Sequence, residues 1–192
     1  MSDVDKLKRE IVFKVRLRGH ELTFHSTWGL FSPRRVDEGS YLLIRQIEVG
    51  EGDVTLDLGC GYGAIGVAVA RLCPAGRVHM VDKDYVAVEY ARRNAEANGL
   101  TNCQAYLSNA FSEVPDVRFD NIAANLPAKV GKELLTIILH DAKAHLKTGG
   151  RFYAVTVTGL RKFIRRNLEE VFGNYAKLKQ GKHYTVAMAV RE

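Results

Sequence analysis

The 192-residue chain predicts an α/β fold, a mostly parallel seven-stranded sheet with helices on both faces and a short N-terminal β-hairpin. Three observations point there. Short apolar runs alternate with longer amphipathic stretches from Val54 onward. The first of these runs ends in a cluster of glycines. Polar residues, Asp82, Asn109 and Asn125, stand at or just past the next three runs, where parallel sheets hold their ligands.

The elements follow in order. Ile11–Leu17 and Glu21–Phe24 alternate as a hairpin about a turn at Arg18-Gly19-His20. Trp28–Arg35 has the composition of a loop, and Asp37 or Ser40 is placed to cap a helix running to about Ile47. Residues 1–36 are thus expected to form a hairpin and loop extension ahead of a domain at 37–192. Val54–Leu58 is a buried strand, Ile65–Leu72 a helix, Arg77–Asp82 a strand, and Tyr85–Asn98 a helix stopped by Gly99. Cys103–Leu107 and Phe119–Ala124 are strands. Lys132–Leu146 is a helix ending in Lys147-Thr148-Gly149-Gly150. Arg151–Val157 is a strand, Arg161–Phe172 a helix, and Tyr175–Leu178 with His183–Val190 a closing pair.

Composition excludes several classes. No stretch approaches the ~20 apolar residues that cross a bilayer. Residues 1–10 are charged and lack the apolar core of a leader, so a cytoplasmic protein without a membrane partner is expected. Cys60, Cys73 and Cys103 are scattered and form no Cys-x-x-Cys pair, and the histidines show no ligand spacing, so neither a disulfide framework nor a metal site is expected. The net charge of +6 is unevenly spread: nine Lys/Arg against seven acids in residues 1–50, ten against twelve in 51–150, and nine against three in 151–192. A basic tail on a balanced domain suits a polyanion.

The glycine loop, Asp57-Leu58-Gly59-Cys60-Gly61-Tyr62-Gly63-Ala64-Ile65-Gly66, follows the first core strand and opens a helix. Gly61-x-Gly63-x-x-Gly66 also fits the dinucleotide fingerprint, so a nicotinamide-dependent oxidoreductase is a rival on the loop alone. Charge separates the two. A dinucleotide puts a pyrophosphate at this turn, and Asp57, two residues before the first glycine, would repel it. S-adenosylmethionine carries an ammonium and a sulfonium, which Asp57 would favour directly or through water. Asp82, with Lys83 beside it, is placed to accept both ribose hydroxyls. Asn109 can meet the adenine edge, with Ala110 and Phe111 as apolar contacts. Gly59, Cys60, Gly61 and Gly63 complete the cofactor set.

Asn125-Leu126-Pro127-Ala128 follows the fourth strand. An exocyclic amine on a base is a poor nucleophile because its lone pair is delocalised into the ring. The Asn125 side-chain carbonyl and the Leu126 backbone carbonyl are two acceptors that can localise it, and Pro127 would keep the turn rigid.

With these segments the chain resembles class I S-adenosylmethionine-dependent methyltransferases of the small-domain type that methylate guanine N2 in small-subunit ribosomal RNA, and their compact archaeal relatives. The likeness rests on Gly29-Leu30-Phe31-Ser32, Asp37-Glu38-Gly39-Ser40-Tyr41-Leu42-Leu43, the glycine loop, Ser108-Asn109-Ala110-Phe111-Ser112, Phe119-Asp120, Asn125-Leu126-Pro127 and Leu146-Lys147-Thr148-Gly149-Gly150. It implies a Rossmann-like class I methyltransferase fold. It also implies that residues 31–40 cover the cofactor and border the target-base pocket, and that Asn125 holds the target amine. Two features depart from the family. It usually has Asn-Pro-Pro followed by an aromatic residue, where this chain has Leu126 and Ala128. Its larger members carry a second domain for RNA docking.

Cytosine N4 therefore stands beside guanine N2 as a target. The base must be single-stranded or flipped out, with Trp28, Phe31 or Tyr62 to stack on it. Arg34, Arg35, Lys129 and Lys132 are phosphate contacts by position, and Arg161, Lys162, Arg165 and Arg166 are a candidate helix face for RNA backbone. A protein glutamine or a small molecule as methyl acceptor, and a non-catalytic cofactor- or RNA-binding protein, remain alternatives. A cytosine C5 mechanism needs a nucleophilic cysteine near the fourth strand, and none is there.

Overall fold

A computed structural model describes the chain apart from Met1, Lys8, Ala128 and Lys129 and the side chains of Asp3 and Lys6. Its elements are α1 (Asp3–Leu7), β1 (Ile11–Leu17), β2 (His20–Ser26), α2 (Glu38–Gln46), β3 (Val54–Leu58), α3 (Ala64–Leu72), β4 (Arg77–Asp82), α4 (Tyr85–Ala97), β5 (Cys103–Leu107), β6 (Phe119–Asn125), α5 (Lys132–His145), β7 (Leu146–Val157), α6 (Arg161–Phe172), β8 (Ala176–Gln180) and β9 (Tyr184–Val190). The strands from β3 onward form one sheet in the order β5-β4-β3-β6-β7-β9-β8. The pairs from β5 to β7 are parallel, and β9 runs antiparallel to β7 and β8. Chain order reverses at β3, which opens a crevice at the carboxyl ends of β3, β4 and β6.

The two faces of the sheet sort its side chains by alternation. Tyr153 and Val155 of β7 face Leu43 and Ile44 of α2, Val67 of α3 and Val88 of α4. Phe152 and Ala154 face Leu135 and Leu139 of α5 and Leu168 and Phe172 of α6. In β3, Leu56 and Leu58 belong to the α5–α6 face, which leaves Asp57 on the α3 face. Asp37 caps α2 by accepting from the Gly39 and Ser40 amides, and Asp84 caps α4 by accepting from the Val86 amide.

The structure tightens some sequence boundaries. Leu17 pairs with His20, so the hairpin turn is only Arg18-Gly19, with φ of 48° and 91°, the two positive torsions of a type I′ turn. Strand β7 begins at Leu146, not Arg151. It pairs Phe119 with Leu146 and then Asn121 with Arg151, and the excursion between them is held where the Gly149 amide donates to the Arg191 carbonyl and the Arg191 amide to the Gly150 carbonyl.

The hairpin docks on the α2–α4 face. Leu17, Leu22 and Phe24 are buried there, and the Arg18 guanidinium donates to the Ile44 and Ile47 carbonyls at the end of α2. The outer edge of β2 is met by two asparagine side chains of α4. The Asn94 amide accepts from the His25 N–H and donates to the His25 carbonyl, and Asn98 does the same for Thr23. Asn94 also donates to the Tyr62 carbonyl. Asn94→Ala leaves these buried backbone groups unpaired and should cost about 3 kcal/mol in urea unfolding, with loss of hydrogen-exchange protection at His25. Asn98→Ala, at a less buried position, should cost about 1 kcal/mol.

Candidate active site

The glycine loop leaves β3 and turns sharply into α3. The Gly59 and Cys60 amides both donate to the Val81 carbonyl at 2.9 Å, and the Gly61 amide donates to Asp82 Oδ2 at 2.9 Å. Gly59 and Gly61 have φ of 71° and 54°, and a Cβ at either would meet nothing within 4 Å. Torsion, not crowding, requires glycine there. At Gly66 the reason differs: a Cβ would lie 2.4 Å from Met80 Cγ, so its absence lets α3 seat on the sheet.

A cavity of about 670 Å³ opens beside this loop. Gly59, Cys60, Gly61, Asp82, Lys83, Ser108, Asn109 and Ala110 line one part, and Phe31, Asp37, Ser40, Asn125, Leu126, Pro127 and Tyr184 line another. Asp82 holds the loop through Oδ2 and accepts from the Asp84 amide through Oδ1. Ser108 Oγ donates to the Ala110 carbonyl at 2.7 Å and accepts from the Glu113 amide, pinning a turn in which Ala110 has φ of 52°.

Several sequence-predicted residues stand elsewhere. Asp57 does not line the cavity. It is 1% exposed, behind the loop, with Oδ2 accepting from the Gly66 amide at 2.7 Å and Oδ1 without a partner. Direct contact with a ligand is therefore closed to it. Gly63 lies under the loop against Met80 and Ala91. Phe111 is buried and stacks on His145 at 4.7 Å, so it serves the core, not an adenine. The Tyr62 ring packs against Phe13 and Phe24, and its hydroxyl donates to the Arg35 carbonyl at 3.0 Å. It anchors the 32–35 loop, and the residue also lines the cavity. Trp28 and Arg34 stack on each other at 4.6 Å outside the cavity lining. Phe31, 65% exposed, does reach the cavity. Arg35 lines an adjoining depression of about 500 Å³ with Tyr41 and His183. Lys129 and Ala128 lie outside the described residues.

Burial pushes the Cys60 thiol well up, and the carboxylates of Asp57 and Asp82 push it further. It stays a protonated thiol, unsuited to attack.

The sequence reading missed a hydrogen-bond hub at the reaction end. Asp37 Oδ2 accepts from the Asn125 Nδ2 group at 3.1 Å, and Asp37 Oδ1 accepts from the Tyr184 hydroxyl at 3.0 Å. Ser40 Oγ accepts from the same Asn125 nitrogen at 3.0 Å. A carboxylate can only accept, so the Asn125 amide has one orientation: nitrogen toward Asp37, oxygen free. Burial and the bond to Asp37 raise the Tyr184 phenol, which stays protonated as a donor. The altered second position of the tetrapeptide also has a cause here. The Leu126 amide donates to the Val155 carbonyl at 3.0 Å, a bond proline cannot make, and its side chain is buried on the α5–α6 face.

A family model, the methyltransferase small domain, matches residues 21–188. YbxB of Bacillus subtilis (strain 168), described as uncharacterized, is 38% identical over 179 residues, covering 91% of this chain and 88% of its own. The structure of T. thermophilus 16S rRNA N2 G1207 methyltransferase (RsmC) in complex with AdoMet and guanosine superposes with a TM-score of 0.87 at 33% identity. That match covers 95% of this chain and 51% of the other, so the chain spans about half the length of that relative. The ribosomal protein L11 methylase of Lactobacillus delbrueckii subsp. bulgaricus shares the fold, with a TM-score of 0.70 at 23% identity over 87% of this chain and 84% of its own.

Asp57 gives the site a measurable signature. Burial pushes its carboxyl up to about 7, with the Gly66 amide bond opposing and the Asp82 charge adding. A carboxyl whose folded pKa exceeds its unfolded one favours folding most at low pH, and that contribution is lost as pH rises through the folded value. The ligand-free protein should therefore lose stability between about pH 4 and pH 7 relative to Asp57→Asn, as read by urea unfolding of both across that range.

Proposed function

Since the chain belongs to the methyltransferase small domain family, we propose that it transfers the methyl group of S-adenosylmethionine to an exocyclic amine of an RNA base, with guanine N2 of ribosomal RNA as the leading target. The orientation of the Asn125 amide carries this reading. With Nδ2 committed to Asp37 and Ser40, Oδ1 is presented as an acceptor beside the Leu126 carbonyl, and no hydrogen bond among the described residues engages either oxygen. Two acceptors on consecutive residues suit two N–H bonds on one nitrogen. A carbonyl oxygen offered to the same place would meet only lone pairs.

S-adenosylmethionine suits the other end. Asp82 stands in the wall and Asp57 behind it, and Lys83 is the one cation lining the cavity among the described residues. When bound, it supplies a methyl carbon made electrophilic by positively charged sulfur. Gly59, Cys60 and Gly61 offer a close backbone face, Asp82 and Lys83 the ribose contacts, and Asn109 and Ala110 the adenine contacts. Asp57 acts through the loop it braces. Asn125 and Leu126 draw the amine lone pair back onto nitrogen and aim it, Pro127 stiffens their turn, and Phe31 stacks on the base. The surplus proton departs to solvent once the new C–N bond has formed, so no strong base is required. Trp28, Arg34, Arg35 and Lys129 are assigned to the RNA around the pocket. The RsmC relative, solved with guanosine, supports guanine over cytosine.

Incubation with labelled donor and unmodified small-subunit ribosomal RNA, followed by mass spectrometry of the digested nucleosides, should yield N2-methylguanosine. N4-methylcytidine would move the target to cytosine N4. Label in protein or small molecules, with none in RNA, would overturn the substrate class. Asn125→Ala should lower kcat about 100- to 1,000-fold while donor affinity, read by calorimetry, stays within about threefold. Asp37→Ala should lower kcat by about 100-fold, because the amide loses its orienting partner.

A further inference from the structure

Several cations on this surface are matched to an acid. Lys14 pairs with Glu21, Arg92 with Glu89, Arg93 with Glu10, Lys147 with Asp120, and Arg165 with Glu169. The α5–α6 edge is held differently. Lys132 at the start of α5 and Arg166 on α6 have no acidic partner among the described residues. Each instead stands over the Phe163 ring, at 5.7 Å and 5.9 Å. Lys162, exposed on the same helix, likewise has no acidic partner among the described residues.

This cluster borders the cavity. Val130 and Leu134, on either side of Lys132 in sequence, line it, as does Val157 at the end of the strand that leads into α6. Leu134 and Ile137 of α5 are 43% and 56% exposed, so apolar surface accompanies the charge. Unpaired cations around an aromatic ring, beside the mouth of a base-sized cavity, have the chemistry of a nucleic-acid backbone track. Cations without an acidic partner are neutralised only by solvent ions, which a row of phosphates would displace.

We propose that the α5–α6 edge, through Lys132, Lys162 and Arg166 around Phe163, holds the sugar–phosphate backbone of the RNA strand that flanks the target nucleotide. This rests on RNA being the substrate. This surface lies on the sheet face opposite the hairpin.

The test compares the wild type with Lys132→Ala/Lys162→Ala/Arg166→Ala in direct binding of unmodified small-subunit ribosomal RNA at several salt concentrations, alongside methylation kinetics. Each lost single-strand phosphate contact lowers the salt slope by about 0.7, so the triple variant should lose about 2 from the slope and about 100-fold in affinity near 0.1 M salt. KM for RNA should rise with it, while donor affinity and kcat at saturating RNA stay unchanged. Arg77→Ala, at the opposite end of the sheet, should do none of this. An unchanged slope and KM in the triple variant, with the wild type methylating RNA normally, would overturn the assignment and leave the proposed reaction standing. RNA binding that weakens as expected, with label never entering RNA, would sustain the track and sink the reaction. A wild type that neither binds nor methylates RNA would sink both.

Discussion

The reaction end of the cavity depends on one carboxylate that can only accept. Asp37 takes the Gly39 and Ser40 amides at the start of α2, the Asn125 side-chain amide at the end of β6 and the Tyr184 hydroxyl at the start of β9. Three parts of the chain far apart in sequence thereby converge on one group. Its lack of any proton to give decides which way Asn125 faces, and that leaves the Asn125 side-chain oxygen as an acceptor. The same residue caps a helix, so helix entry and amide orientation cannot drift independently.

The loop end is organised by charge. Backbone amides of the glycine turn are already spent on Val81 and Asp82, so they are not aimed outward as a phosphate cradle would require. Asp57 adds a buried carboxyl with an oxygen left unmatched. A phosphate-bearing ligand would meet Asp82 in the wall and few free donors, whereas a cation would meet an environment short of positive charge. The role of Asp57 is thus indirect: it ties the start of α3 to β3 and tunes the field behind the turn.

The fold was largely legible in the sequence because its signals are local. Alternating apolar runs, the glycine turn, the Asp37 cap and the Gly99 stop each lie within a few residues of what they determine. Departures fell where a distant partner decides. Strand β7 starts early because Arg191 supplies its excursion with hydrogen bonds. Phe111 reads as a pocket aromatic, but His145 claims its ring. The Asp37–Asn125–Tyr184 contacts span 88 and 147 positions, and no periodicity carries that information. Asp37 was visible as a cap, and Asn125 as an acceptor, but not that one fixes the other. Leu126 looked like a lapse from a family pattern until its amide was found extending the ladder to Val155.

The docking of the hairpin turns on a coincidence of two repeats. Four residues of helix advance about 6.0 Å, and two residues of antiparallel strand advance about 6.8 Å, so Asn94 and Asn98 meet His25 and Thr23 in step. Helix α4 thus impersonates a strand at the ribbon's open margin. The counterfeit is two rungs long and has no backbone of its own to offer further, so it ends the ladder where a genuine strand would invite another chain to extend it. One residue inserted between the two asparagines would swing one of them about 100° around the helix and leave that margin bare.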